Sequence, residues 1–221
     1  MYIDIITLVP NFWKNIVKFY PIINKAIYKN ILKINYINLR EFGIKKGKKN
    51  YVDDYQYGGG YGMVLKLEPI FNCYSYLKKK NKYDKIIYLT PDSKLYNQTI
   101  AGNLAKSKKL LFICGYFKGI DQRIRDNIIT NEYSIGKYIL SNGDISTLIV
   151  IDTIIRLIPG VLGNLKSIDS DSFNTNDYDH PLYTRPYSFY NMKVPKILLS
   201  GNHKKILKWR YEQIKNKKLK I

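Results

Sequence analysis

The chain has 221 residues and 45% hydrophobic content, enough for one substantial core and a smaller appendage. No apolar run is long enough to span a bilayer, and "YIDIITLVP" is too short and too acidic for a signal peptide, so neither a membrane nor a secreted protein is expected. A net charge of +20 points to a polyanionic partner; two cysteines outside any CxxC pair and two histidines make a zinc site unexpected and suit a reducing, cytoplasmic setting.

Much of that charge reads as codon usage. All but six of the 37 basic residues are lysine, in a chain crowded with Ile, Asn and Tyr, as an AT-rich genome writes. Against that background the arginines (Arg40, Arg123, Arg125, Arg156, Arg185, Arg210) mark places where a planar, bidentate cation does what lysine cannot.

In chain order, "MYIDIITLV" reads as a buried strand, followed by a helix over "FWKNIVKFY" with Asn11 as its cap. "ILKINYINL" is a second strand. The polar, basic "GIKKGKKNYVDDYQ" and the glycine-rich "YGGGYGM" precede a helix near "LEPIFNCYSYLKKK", with Pro69 in its first turn. "KIIYLTP" is a third strand, "NQTIAGNLAKS" a helix, "KLLFICG" a fourth strand and "EYSIGKYIL" a fifth. "ISTLIVIDTIIRLIPG" is a long apolar helix stopped by Pro159-Gly160. Strands alternating with helices predict an α/β fold with a mostly parallel sheet and helices on both faces. Residues 163–180 are polar and acidic, which reads as a linker. Beyond it "PLYTRP" is turn-rich, and "SGNHKKILKWRYEQIKNKKLKI" is a basic helix capped by Asn202.

Ligands of open parallel sheets sit outside the carboxyl ends of the strands. Three loops leave strands there: "YLTP" (88–91), "CGYFKG" (114–119) and "LSNGD" (140–144). Converging, they would form a pocket with a bare backbone floor, suited to a purine and the polar tail of a nucleotide-like cofactor. No GxGxxG, P-loop, nucleophile elbow or Cys–His pair occurs, which disfavours dinucleotide, ATPase and covalent hydrolase chemistry.

The motifs "VDDYQYGGGYGM", "IIYLTP", "CGYFKGIDQR", "EYSIGKYILSNGD", "RLIPGVLGN", "DSDSF", "PLYTRP" and "VPKILLSGNHKKILKWR", in this order and spacing, resemble the bacterial tRNA (guanine-N1-)-methyltransferase family over nearly the whole chain. The resemblance implies a SPOUT fold with a deep C-terminal trefoil knot, S-adenosylmethionine as methyl donor, and guanosine 37 of tRNA, beside the anticodon, as acceptor. It also implies a homodimer with each active site shared between subunits. It divides the chain into a knotted cofactor domain (1–160), an acidic linker (161–180) and a shortened helical tRNA-binding domain (181–221). The cofactor residues it implies are Gly115, Ile135, Gly136, Lys137, Tyr138, Ile139 and Leu140, with Tyr88, Leu89, Gly119 and Gly143 beside them. Asp171 in "DSDSF" would be the general base that removes the N1 proton, and Arg156 would stabilise charge on O6. Without the resemblance Asp171 is no better a candidate than Asp169 or Asp177, and Arg156 reads as an i,i+4 partner of Asp152.

Some positions depart from the family pattern. Lys118 stands where the family carries an acidic residue linked to magnesium dependence, which puts magnesium in question. Phe117 replaces a tyrosine, Tyr61 a proline, Lys137 an aspartate and Asn142 a glycine. Two other readings remain at this stage: another SPOUT enzyme acting on ribose 2′-O, and a basic RNA-binding module without catalysis.

Overall fold

The computed structural model describes residues 1–47, 49–162, 173 and 179–218. The chain divides into two compact units, Met1–Gly163 and Asn164–Ile221.

The first unit opens with β1 (Tyr2–Thr7), α1 (Pro10–Phe19), α2 (Pro21–Tyr28) and β2 (Lys33–Asn38). After a 3-10 turn at Leu39–Phe42 come two small hairpins: β3 (Ile44–Lys46) with β4 (Lys49–Tyr51), and β5 (Asp53–Tyr55) with β6 (Met63–Leu65). Then follow α3 (Leu67–Lys78), β7 (Lys85–Leu89), α4 (Gln98–Ala105), β8 (Lys109–Ile113), α5 (Gln122–Asn127), β9 (Asn131–Tyr133) and α6 (Gly143–Arg156). Five strands form one sheet in the order β2-β1-β8-β7-β9, every pairing parallel.

The side-chain period of two splits the apolar strands between two cores. Ile3, Ile5, Ile87, Leu89, Leu110 and Phe112 face one side, covered by Trp13 of α1, Ile23 and Ala26 of α2, Leu104 of α4 and the Val150–Ile155 stretch of α6. Ile6, Ile86, Leu111 and Ile113 face the other, covered by Ile70, Cys73 and Leu77 of α3 and Ile124 of α5. The buried residues of α6 recur at 143/144, 146/147, 150/151 and 154/155, a helical stripe, while Ile145 and Ile149 look outward. Among the described residues no helix is long and apolar enough to cross a membrane.

Three expectations need correction. Asn11 does not cap α1: Pro10 occupies its first turn, its fixed φ suited to that position, so the helix starts ahead of Asn11 behind Val9. The fifth strand is Asn131–Tyr133, and most of "EYSIGKYIL" lies beyond it as loop. Ser134 redirects the chain there, its hydroxyl accepting from the Gly136 N–H and donating to the Gly136 carbonyl. The α6 helix begins two residues ahead of Ile145, capped by the Asn142 side chain on the Asp144 N–H at 3.0 Å.

In the second unit, β10 (Ser188–Phe189) pairs antiparallel with β11 (Met192–Lys193), and a 3-10 turn (Lys196–Leu199) leads to α7 (His203–Lys218). Asn202 caps α7 as expected, accepting from the Lys205 N–H at 3.1 Å.

Candidate active site

The loops after β7, β8 and β9 converge at the carboxyl edge of the sheet around a cavity of about 430 Å³. Its lining includes Tyr88, Leu89, Gly115, Gly119, Gly143 and residues 135, 136 and 138–140. The structure therefore brings together all the cofactor residues named from the sequence except Lys137, which does not line the cavity. Arg156 is exposed at the last position of α6, so helix rise puts it about 20 Å along the axis from the cavity at Gly143. Asp171, Asp169 and Asp177 lie outside the described residues.

The cavity exists because the loops crowd each other without side chains in the way. The Gly143 N–H donates to the Gly115 carbonyl at 2.7 Å, and a Cβ on Gly143 would stand 2.7 Å from the Gly115 nitrogen. At Gly136, φ is +153°, and a Cβ would fall 2.2 Å from the Tyr138 ring. Phe117, a bulky residue, sits at φ +59° on the tip of the 115–119 turn, which the Gly119 N–H closes on the Tyr116 carbonyl at 2.9 Å. Such a conformation persists only where the surroundings enforce it.

The enforcing group is Asp144, buried in the first turn of α6. Its carboxylate accepts from the Thr7 hydroxyl at 2.7 Å, from Trp13 Nε1 at 2.6 Å and from the Tyr116 hydroxyl. One side chain thus joins β1, α1, the loop after β8 and the start of α6. Burial, then the bond to Asp144, pushes the Tyr116 phenol well above its usual range, so it stays a donor.

The opposite wall is ionic. Arg125 binds Glu132 through two parallel hydrogen bonds, Nε to Oε1 at 2.8 Å and Nη2 to Oε2 at 2.7 Å, and reaches Asp92 at 3.0 Å. Its guanidinium lies 5.6 Å from the centroid of Tyr88. Asp92, bonded by the Thr90 hydroxyl and then by Arg125, has its carboxyl held below the usual range. The loops 88–91 and 140–144 named from the sequence bring Thr90, Ser141 and Asn142 to the cavity; Asp92 and Arg125 were not placed there, although Arg125 stood out as an arginine among lysines.

These lining groups suit a nucleoside-like molecule. Leu89, Ile135 and Leu140 offer apolar walls, the glycine positions expose backbone, and Asp92, Ser141 and Asn142 supply polar contacts. Among the described residues no group of three or more His, Cys, Asp or Glu could hold a metal ion. The fold and site therefore define an open parallel α/β protein with a cavity at the carboxyl edge of its sheet suited to a nucleotide-like ligand.

The comparisons make the class specific. The sequence profile described as tRNA (Guanine-1)-methyltransferase TrmD matches residues 1–220. A tRNA (guanine-N(1)-)-methyltransferase of Flavobacterium johnsoniae is 43% identical, the match covering 99% of this chain and 97% of that one. The protein of the same description from Christiangramia forsetii is 46% identical, with 96% and 93% covered. The crystal structure of tRNA (m1G37) methyltransferase from Aquifex aeolicus superposes with a TM-score of 0.81 at 35% identity, covering all of this chain and 92% of that one. The chain belongs to the tRNA (guanine-1)-methyltransferase family of enzymes.

Proposed function

We propose that the chain methylates N1 of guanosine 37 in tRNA, binding S-adenosylmethionine in the cavity at the carboxyl edge of the sheet. The observation that carries this reading is the convergence of the family's cofactor motifs on that single cavity. When bound, S-adenosylmethionine supplies a methyl group activated by its sulfonium. The lining residues fit it: Leu89, Ile135 and Leu140 would hold the purine, bare backbone at Gly115 and Gly136 would let it approach closely, and Asp92 and Ser141 would meet its polar tail. The loops at 114–119 and 134–142 are proposed as the knot that wraps it; the contact of Gly143 on Gly115 supports that reading.

For the acceptor, Asp171 takes the N1 proton and Arg156 stabilises the charge that develops on O6. Arg156 stands too far from the cavity of its own chain to serve it. The reading therefore requires a homodimer in which one copy holds the cofactor and the other supplies Arg156 and Asp171. Phe117, Tyr138 and Ile139 at the cavity and Ile145 and Ile149 on α6 are exposed apolar groups that a second copy would cover. Residues 1–160 would then bind cofactor, 161–180 carry the base and 181–221 hold tRNA, in a cytoplasmic enzyme. Lys118 lines the cavity as a cation, which weakens the case for magnesium there.

The test is single-turnover methylation by Asp171→Asn and Arg156→Lys. Each should slow the chemical step by about 10²-fold, the scale of a general base, while S-adenosylmethionine binding stays at the wild-type level. An Asp171→Asn protein that methylates at the wild-type rate would reassign the base to Asp169 or Asp177.

A further inference from the structure

The hairpin β5–β6 carries a feature that the cavity chemistry does not use. Its seven-residue tip, Gln56–Gly62, holds Tyr57 and Tyr61, which are 99% and 95% exposed, the two most exposed large hydrophobic side chains among the described residues. Between and beyond them, Gly58, Gly59, Gly60 and Gly62 all have φ between +81° and +115°. Nothing lies within 4 Å of where a Cβ would sit on Gly58 or Gly59, so conformation and not packing demands glycine there. The turn holds two aromatic plates in water.

Its base is fastened to the cavity. The Lys118 N–H donates to the Met63 carbonyl at 3.0 Å, the Leu65 N–H to the Gly119 carbonyl at 3.0 Å and the Asp121 N–H to the Leu65 carbonyl at 3.1 Å. The tip therefore rises directly from the loop that lines the proposed methyl-transfer site. Around it, Lys66 pairs with Asp54 at 3.0 Å and Arg123 with Asp121 at 2.7 Å, both within electrostatic reach of Tyr57, and the Lys118 stem packs against Gly62. Aromatic plates held in water among ion-paired side chains, at the rim of a site for a base, match single-stranded nucleic acid better than an apolar protein face.

We propose that Tyr57 and Tyr61 stack on unpaired nucleobases of the substrate RNA and hold the acceptor loop over the cavity, an inference that rests on the functional reading above. They act as positioning residues and touch no reacting atom.

The experiment measures the affinity of the full-length protein for an unmodified tRNA transcript carrying G at positions 36 and 37, at fixed salt. Wild type is compared with Tyr57→Ala, Tyr61→Ala and the matching Tyr→Phe variants. Each alanine variant should bind the transcript about fivefold or more weakly, and each phenylalanine variant within about twofold of wild type, because stacking needs the ring and not the hydroxyl. The slope of affinity against salt should not change, since no charge is removed. S-adenosylmethionine affinity and mass by light scattering should match wild type.

Alanine variants that bind within twofold of wild type would overturn the proposal, as would phenylalanine variants as weak as alanine. A fall in mass would assign the tyrosines to contact between copies and overturn it too. Methylation by wild type in the same preparation separates the two levels. If wild type methylates and the alanine variants bind normally, only this inference fails; if wild type does not methylate, the functional reading fails and takes the inference with it.

Discussion

Three donors from separate parts of the chain, Thr7, Trp13 and Tyr116, meet on the Asp144 carboxylate. Replacing Asp144 with alanine takes the acceptor from the Trp13 N–H and from one of the Thr7 and Tyr116 hydroxyls, which lie 3.1 Å apart so that one can donate to the other, and each orphaned group costs about 1–3 kcal/mol. Asp144→Ala should therefore lose about 3 kcal/mol or more of stability in urea unfolding, and its cofactor affinity should fall because the Tyr116 loop is released. Asp144→Asn keeps one acceptor oxygen and should lose less. The carboxylates at the rim set the acid response. Thr90 and Arg125 lower the Asp92 carboxyl, and the Arg123 side chain lowers that of Asp121. Groups depressed in the folded state stabilise it fully above the ordinary aspartate value of about 3.9, and this support is lost as pH falls below it through their lowered values. Urea midpoints should therefore draw no change from these groups between pH 7 and 5 and should drop below about pH 4, less steeply in Asp92→Asn. Glycines and cofactor motifs are legible in sequence because their chemistry is local. Asp144 was not, because its partners lie 137, 131 and 28 residues away. The arginine argument succeeded twice: Arg125 grips Glu132, and Arg123 grips Asp121, each with two nitrogens.

Element boundaries failed where local pattern and tertiary contact disagree. The apolar residues of "EYSIGKYIL" look like a buried strand, yet Ile139 is 80% exposed because the segment leaves the sheet to line the cavity. The α2 helix and the two hairpins went unread: α2 is only eight residues long, and β3 to β6 are three residues each, too short for a periodic signal. Four strands of the sheet were legible as runs rich in apolar residues, whereas the fifth, Asn131–Tyr133, is Asn-Glu-Tyr and was placed too far along, on the apolar residues that follow it. Packing of α6 against the loop after β8 gives the sharpest test at this scale. Gly143→Ala puts a methyl 2.7 Å from the Gly115 nitrogen and 3.2 Å from the Cys114 Cα, both backbone atoms that cannot yield without moving the loop. Its S-adenosylmethionine affinity, read by calorimetry, should fall by about tenfold or more. Gly102→Ala in α4, where nothing lies within 4 Å, should bind as wild type does.

For the whole molecule, charge and family together make tRNA the partner, and the net +20 then has a physical role. If the lysines displace counterions from phosphates, tRNA affinity should fall steeply, by about 10³-fold or more between 50 and 200 mM salt for six or more contacts. A flat response would leave the charge as codon usage alone. The overall class was legible because nearly every motif is contiguous in sequence. The measurement that bears most directly on the central claim uses labelled S-adenosylmethionine with two tRNA transcripts, one carrying G at position 37 and one changed there, followed by digestion to nucleosides. Label recovered as N1-methylguanosine from the first transcript and absent from the second is the expected result. Label on ribose, or equal label in both transcripts, would contradict it.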